Sequence, residues 1–346
     1  MRGFTLFSFF FKARTCRTIE LVDLSHVCCC QTVKMKKTQN SVFKKGMHTA
    51  FSIGLPFVVA INASFWVQSV FAQGSTQTAN AMLEKHAELK SSLAQNQYRR
   101  PLFLESAETA DTVSSTAYAV LDSPFSAVSE TFKKPDHWCD VLILHINTKY
   151  CQATTNTSPS TLAVNIGKKT PQTLSESFLL EFSYRVISSS PDYLAVRLHA
   201  DKGPLSTTDY QMMLQAVPLP EGKTFINLRY SYGYGLAGRL AMQAYLATIG
   251  RDKVGFSKLS QEPNSPFVGG MRGTVERNTM RYFLAIEAYL ASLKQPSAQQ
   301  FNSRIQYWFD ATEQYSRQLH EVDRSDYIQM KKDEYLRQRA KPVAAE

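Results

Sequence analysis

The sequence predicts an α+β fold in which an antiparallel sheet packs against a long helix, with additional helices toward the C-terminus. Three observations predict it. Between residues 162 and 232 apolar side chains recur at every second position, the period of strands that turn one face to a core. Polar, proline- and glycine-bearing clusters separate those runs. Beyond Gly235 the apolar spacing lengthens to three and four, which is helical.

Residues 1–72 stand apart from that pattern. From Met35 a basic stretch (Lys36, Lys37, Lys44, Lys45) leads into a mostly apolar run over 50–67, which ends at Val70-Phe71-Ala72. A positive start, an apolar middle and a small-residue exit are features of a cleaved export signal, here residues 35–72 with cleavage between Ala72 and Gln73. The alternative is an uncleaved inner-membrane anchor over 50–72; Asn62, Ser64 and Gln68 dilute the run and favour cleavage. Residues 1–34 contain Cys28-Cys29-Cys30 and no turn logic. They read as a mis-called or extended prefix, with translation starting at Met35. The expected address is the periplasm or the exterior.

The formal charge of +10 belongs mostly to that leader. Residues 73–346 carry 30 Lys/Arg against 27 Asp/Glu, a net of +3. Such a balance gives nucleic-acid binding no support. Four of the six cysteines also lie in the leader, leaving Cys139 and Cys151. In an oxidising compartment these predict one disulfide closing a short loop, the alternative being two buried thiols. His137 and His145 offer no ligand spacing toward them, so no metal is expected, nor any cofactor.

The elements follow in order. Residues 73–93 read as a helix with Met82, His86, Leu89 and Leu93 on one stripe, broken by Arg99-Arg100-Pro101. Residues 102–104 and 113–121 are extended. Ser123 is a candidate N-cap and Pro124 suits the first turn of a helix opening at Phe125, which Pro135 ends or kinks. Residues 140–150 fit helix or strand. After a polar loop at 154–160, Leu162, Val164 and Ile166 alternate. So do Phe178, Leu180, Phe182, Tyr184 and Val186, then Leu194, Val196 and Leu198. Met212 and Leu214, then Ile226, Leu228, Tyr230 and Tyr232, complete the sheet. Residues 236–249 are apolar nearly all round, which implies a buried helix. A second helix spans 275–293. A third carries Phe301, Ile305, Trp308, Thr312, Tyr315, Leu319 and Val322 at steps of four and three. Residues 324–339 mix both charge signs densely and read as a solvated helix.

This order of elements resembles the helix-grip fold of the START and polyketide-cyclase (SRPBCC) superfamily. The most specific stretch is 117–139, where a strand passes through Ser123-Pro124-Phe125 into a helix and a turn at Lys134-Pro135-Asp136-His137-Trp138. The resemblance covers about 113–249, and either the 236 helix or the 275 helix is the one that grips the sheet. The expected organisation is an N-terminal helix over 73–100, a sheet core over 101–255 and a helical extension over 256–346 packed on it.

A sheet closed by a helix encloses an interior that its apolar faces line. The candidate ligand-lining residues are Phe178, Leu180, Phe182, Tyr184, Val196, Leu198, Met212, Leu214, Leu228, Tyr230 and Tyr232; any one of them reads first as ordinary core, and the ligand expectation attaches to the set. Arg239 joins them as a guanidinium in a nearly uncharged helix, needing a partner such as Glu276 or Glu287. As a functional group it would anchor a ligand carboxylate or phosphate; as a structural one it forms an ion pair. No Gly-x-Ser-x-Gly, His-Glu-x-x-His or phosphate-cradling glycine loop is present, and His137, His145 and His199 pair with no nucleophile in the sequence. The expected function is non-catalytic binding of an apolar or amphipathic small molecule, such as a lipid. The alternatives are an envelope scaffold acting on a protein partner through residues 301–322, and an enzyme using the same cavity. Membrane contact is expected only through an uncleaved leader.

Overall fold

A computed structural model of the chain describes residues 68–248, 252–260, 262 and 264–340, with side chains from residue 78 onward, Tyr245 excepted. The prefix and most of the leader lie outside the described residues. Helix α1 (Gln68–Ala94) begins five residues before Gln73, so the Ala72/Gln73 boundary falls within it. Among the described residues no helix is long and apolar enough to cross a membrane.

Eight strands form one sheet. They are β1 (Leu102–Glu108), β2 (Thr112–Leu121), β3 (Thr148–Thr154), β4 (Ser160–Ile166), β5 (Phe178–Ser189), β6 (Leu194–Lys202), β7 (Thr207–Leu219) and β8 (Lys223–Tyr234). Their order is β1-β2-β8-β7-β6-β5-β4-β3, and every pairing is antiparallel. The tight meander from β3 to β8 follows from its connections. Short Ser-Pro, Gly-Pro and Pro-Glu-Gly turns allow only antiparallel return. Register shifts in β3, between Val186 and Ser188, and between Thr208 and Gln211 bend the strands that carry them.

Two short helices, α2 (Phe125–Phe132) and α3 (Pro135–Leu142), connect β2 to β3. The predicted cap shifts by one position. Pro124, extended at φ -66° and ψ 146°, is the residue before the helix, and its side chain cannot cap. Ser123 instead accepts a hydrogen bond on its carbonyl from Thr224 Oγ1 at 2.7 Å. Pro135 starts α3, where its missing N–H costs nothing. The disulfide forms between Cys139 on α3 and Cys151 on β3, with Cα atoms 5.1 Å apart.

Helix α4 (Leu236–Thr248) corrects an expectation. Its composition predicts burial on all sides, yet Leu236 is 76 % exposed and Leu240 58 %. Only one side is covered, where Met242 and Leu246 reach the core. Gly238 lies against the carbonyls of Leu205 and Ser206, a distance that a Cβ would close to 2.9 Å. The gripping helix is α5 (Gly270–Ser292), which starts at Gly270 with φ +60°. It is buried nearly all round because the sheet covers one side and α6 (Ser297–Glu313) and α7 (Ser316–Leu319) lie on the other. A division at 255/256 therefore separates the sheet from its own helix. The stripe on α6 and α7 is spent inside the molecule: Ile305, Trp308, Thr312 and Leu319 are buried, and Phe301, Tyr315 and Val322 pack on the core.

The sheet has two apolar faces. One holds the main core with α2, α3, α5 and α6. The other packs Tyr118, Tyr193, Ala195, Val217 and Phe225 against Ala79, Met82, Leu89 and Leu93 of α1, so the predicted helical stripe is the one that docks. His86 lies 5.0 Å from the Phe225 ring.

Candidate ligand site

On the α5 side of the sheet the period-two reading places side chains as expected. Leu180, Phe182 and Tyr184 of β5, Val196 and Leu198 of β6, Met212 and Leu214 of β7, and Leu228, Tyr230 and Tyr232 of β8 are all buried in one cluster. Val275, Met280, Phe283 and Ile286 of α5 belong to the same cluster. The aliphatic members fill this interior. Two predicted residues do not join it. Phe178 is 37 % exposed because it opens β5 opposite Ile166, the last residue of β4, at the end of both strands. Val186, expected on the same face, is 40 % exposed beside the register shift that turns the strand.

Arg239 is the second of the candidate site residues outside that interior, Val186 having been expected only on the strand face. It lies on α4, half-buried, with its guanidinium 5.9 Å from the centre of the Tyr234 ring. Neither expected carboxylate meets it. Glu276 accepts from Ser106 Oγ and from the backbone N–H groups of Phe256 and Ser257, at 2.6 and 2.9 Å for the latter two. Glu287 pairs with Arg100. Half-exposed beside Tyr234, Arg239 keeps access to water and needs no carboxylate.

The interior changes character toward the ends of β7 and β8 that α4 covers. Tyr210 stacks on Tyr232 at 5.1 Å, Tyr230 meets Tyr282 of α5 edge-on at 5.3 Å, and Tyr282 stacks on His145 at 4.7 Å. Thr207 Oγ1 donates to the Tyr210 hydroxyl at 2.9 Å. The half-buried Asn278 faces both His145 and Tyr230. Burial pushes the Tyr210 phenol up to about 12 and those of Tyr230, Tyr232 and Tyr282 higher still. All four stay neutral and keep a proton to donate. His145 is held well below its ordinary value, first by burial and then by Arg281 and Lys331. Its Nδ1 accepts from the Asn147 N–H at 3.2 Å, so the neutral ring carries its proton on Nε2.

Tyr210, Asn278 and Tyr282 were within reach of sequence periodicity. Tyr210 stands two before Met212 on the same face of a strand that starts earlier than the apolar alternation suggests. Asn278 and Tyr282 are four apart on one helix face. The other histidines lie elsewhere: His137 Nδ1 is 3.0 Å from the Thr131 carbonyl, and His199 Nε2 is 3.0 Å from Asp209 at the surface. Among the described residues no three His, Cys, Asp or Glu side chains gather as a metal set.

A second polar centre contradicts the reading of 324–339 as solvated. Helix α8 (Arg324–Arg339) buries Tyr327, Met330, Lys331 and Glu334. Lys149 and Lys331 each pair with Glu334, at 3.0 and 2.7 Å, and both ammonium groups are fully buried. Lys331 also donates to the carbonyls of His145 and Thr148, at 2.8 and 2.9 Å. The signal was the i, i+4, i+7 stripe Tyr327, Lys331, Glu334, hidden because two of its members are charged.

No family model and no curated protein matches the chain. Solved structures that resemble it include three of low identity. Human StAR-related lipid transfer protein 5 is 12% identical, with a TM-score of 0.28, over 52% of this chain and 91% of that one. A truncated norcoclaurine synthase from Thalictrum flavum is 13% identical, TM-score 0.29, over 42% and 89%. A conserved protein from Geobacillus kaustophilus is 10% identical, TM-score 0.30, over 52% and 95%. Likenesses of this size add no argument about the site. The helix-grip arrangement rests on the chain's own strands, antiparallel throughout and covered by α5.

Proposed function

We propose that this chain is a non-catalytic binding protein for an apolar or amphipathic small molecule, acting outside the cytoplasm. The observation that carries the reading is the tyrosine-rich end of the interior. Four neutral phenols, a neutral imidazole and an amide cluster there within an otherwise largely apolar interior. A wall of apolar carbon with a few oriented donors holds an amphipathic ligand by burying its apolar part and fixing its polar end. Helix α4 joins the core by one side only, through Met242 and Leu246, and leaves Leu236 and Leu240 exposed. Support for export comes from the leader's charge and hydropathy pattern and from the Cys139–Cys151 disulfide, a bond that lasts in oxidising compartments.

The test is native mass spectrometry and organic extraction of the full protein purified from its export compartment, followed by titration with a fluorescent long-chain fatty acid. A stoichiometric apolar passenger, displaced by the fatty acid, is the expected result. Arg239→Ala should leave capture unchanged, since Arg239 stands outside the interior. An empty protein that also ignores the fatty acid would refute the proposal.

A further inference from the structure

We infer that the free edge of β1 is a docking slot for an extended, acid-bearing segment of a partner polypeptide, which adds to the sheet as a ninth strand. The backbone carries the argument. The Val120 N–H donates to the Pro101 carbonyl and the Thr109 N–H to the Thr112 carbonyl, at 3.0 and 2.8 Å. Antiparallel pairs alternate between bonded and non-bonded, so residues 103, 105 and 107 turn their N–H and C=O groups toward β2. Leu104 and Ser106 then turn theirs outward. Among the described residues no group bonds to the outward N–H and C=O of either.

These groups open into a cleft of about 570 Å³, whose walls include Gln95 and Asn96 near the end of α1 and, opposite, Ser257 and Ser260. That wall is held by its own backbone bonds: the Val268 N–H donates to the Ser257 carbonyl at 2.8 Å, and Lys258 and Phe267 form an isolated antiparallel bridge. An unpaired edge that opens into a cleft offers strand geometry on its own side, and strand addition is how a sheet edge recognises a peptide. The stretch 103–106 spans about 13 Å, enough for roughly four residues.

The charge of the occupant follows from the ionic groups of the lining: two cations, Lys258 and Arg272, against one carboxylate, Glu105, which accepts from the Tyr118 hydroxyl at 3.0 Å. Arg272 is the cation whose anchoring is defined. Its Nε donates to Ser106 Oγ at 2.7 Å, and Ser106 Oγ donates in turn to Glu276, which is fully buried. This chain fixes the guanidinium at the cleft wall through its Nε. A planar guanidinium held in this way matches a carboxylate. The occupant is therefore a short strand with an Asp or Glu side chain, or a terminal carboxylate, placed against Arg272.

The experiment uses the full chain and a random seven-residue peptide library displayed on phage. Enriched sequences are remade as synthetic peptides and titrated by calorimetry. Enrichment of peptides with an acidic residue is expected. Arg272→Gln should weaken them about tenfold or more, the loss of one charge-assisted contact. Each peptide is also made in two forms, N-methylated at alternate amides. One form should lose binding and the other keep it, because only every second amide of an added strand faces β1. Equal tolerance of both methylation patterns, no enrichment, or indifference to Arg272→Gln would each overturn the inference. So would protection of the Leu104 and Ser106 amides that deepens with protein concentration, since a second copy of the chain would then hold the slot.

Discussion

At β3 the outer backbone of the sheet meets α8. The Cys151 N–H donates to Gln338 Oε1 at 3.1 Å, and the Thr148 carbonyl accepts from the buried Lys331 ammonium. The disulfide ties the same strand to α3. At β1 the outer backbone meets a cleft, and side chains that could have closed it are engaged elsewhere: Ser106 with Glu276, Gln97 with the Phe256 carbonyl at 2.8 Å. An unpaired edge invites association, and proteins cover or blunt the edges that have no use. Here one edge is covered by a buried charge cluster and a cross-link while its counterpart is left open. The difference separates a strand whose task is to be held from one whose groups remain available.

The covered edge depends most on Glu334. Replacing it with Gln leaves the Lys149 and Lys331 ammonium groups buried with no carboxylate. Glu334→Gln should cost about 3–5 kcal/mol, the range for breaking a buried ion pair by removing one partner. Urea denaturation measures the loss, and hydrogen exchange at Cys151 should show β3 opening with α8. A variant that loses less than about 1 kcal/mol would mean that α8 is not what holds this edge.

The disulfide comes next. Cys139→Ala together with Cys151→Ala reopens a loop of 12 residues, worth about 3 kcal/mol in the chain-entropy account. Denaturant midpoints of the double variant and of the reduced wild type should agree. A near-zero effect would place the closure of β3 on α8 alone and sharpen the contrast with β1.

Much of this was legible in the sequence and some could not be. The strands from β4 to β8 were plain because each has one side on a continuous apolar core, so burial writes a period of two. Cys139 and Cys151 were plain because the rest of 73–346 offers them no other cysteine. The location of Arg239 was not, since α4 is rich in Ala and Leu whether or not anything covers it. Leu236 and Leu240 look the same in sequence buried or bare. The covering of β3 was hidden for the opposite reason: Lys331 and Glu334 read as solvent-facing, and only Lys149, 185 residues from Glu334 along the chain, makes their burial tolerable. Of the candidate site, the sheet's contribution was visible, whereas the polar end joins Tyr230 of β8 to Asn278 and Tyr282 of α5 and to His145, three separate segments that no one local period links.

The lysine pair also gives the covered edge a pH signature. Burial pulls the Lys331 ammonium down to about 8 against the opposing pull of Glu334, and burial lowers Lys149 in the same direction. In the unfolded chain these groups keep their protons to about 10.5. Between those values the unfolded state binds more protons, so stability should rise with pH, by about 2 kcal/mol from pH 7 to 10. Above pH 10 the sign reverses. Tyr98 and Tyr210 are pushed up to about 12, so the folded phenols keep protons that the unfolded ones release. A stability maximum between pH 9 and about 10.5 is expected in urea titrations across pH. Lys331→Met should flatten the rising limb while leaving the falling one. A rising limb that persists in that variant would assign it to other groups and remove pH as a reporter of this edge.

The smallest effect is the most direct comparison of the two edges. The outward amides at β1 belong to Leu104 and Ser106, and the outward amide at β3 to Cys151. Leu104 is 4 % exposed and Cys151 1 %, so burial of the residue barely distinguishes them and hydrogen bonding must. Exchange requires an amide to be released from its acceptor, and an amide with no acceptor needs no such opening. The Leu104 and Ser106 amides should therefore exchange on the order of a hundredfold faster than that of Cys151, read residue by residue by NMR under native conditions. Inward amides on the same strand, such as those of Phe103 and Glu105, provide the internal control, since they share the strand's global stability and differ only in having a partner on β2. Equal protection of Leu104 and Cys151 would mean that both edges are closed. Fast exchange confined to the outward positions would show β1 to be a firmly seated strand with an open side.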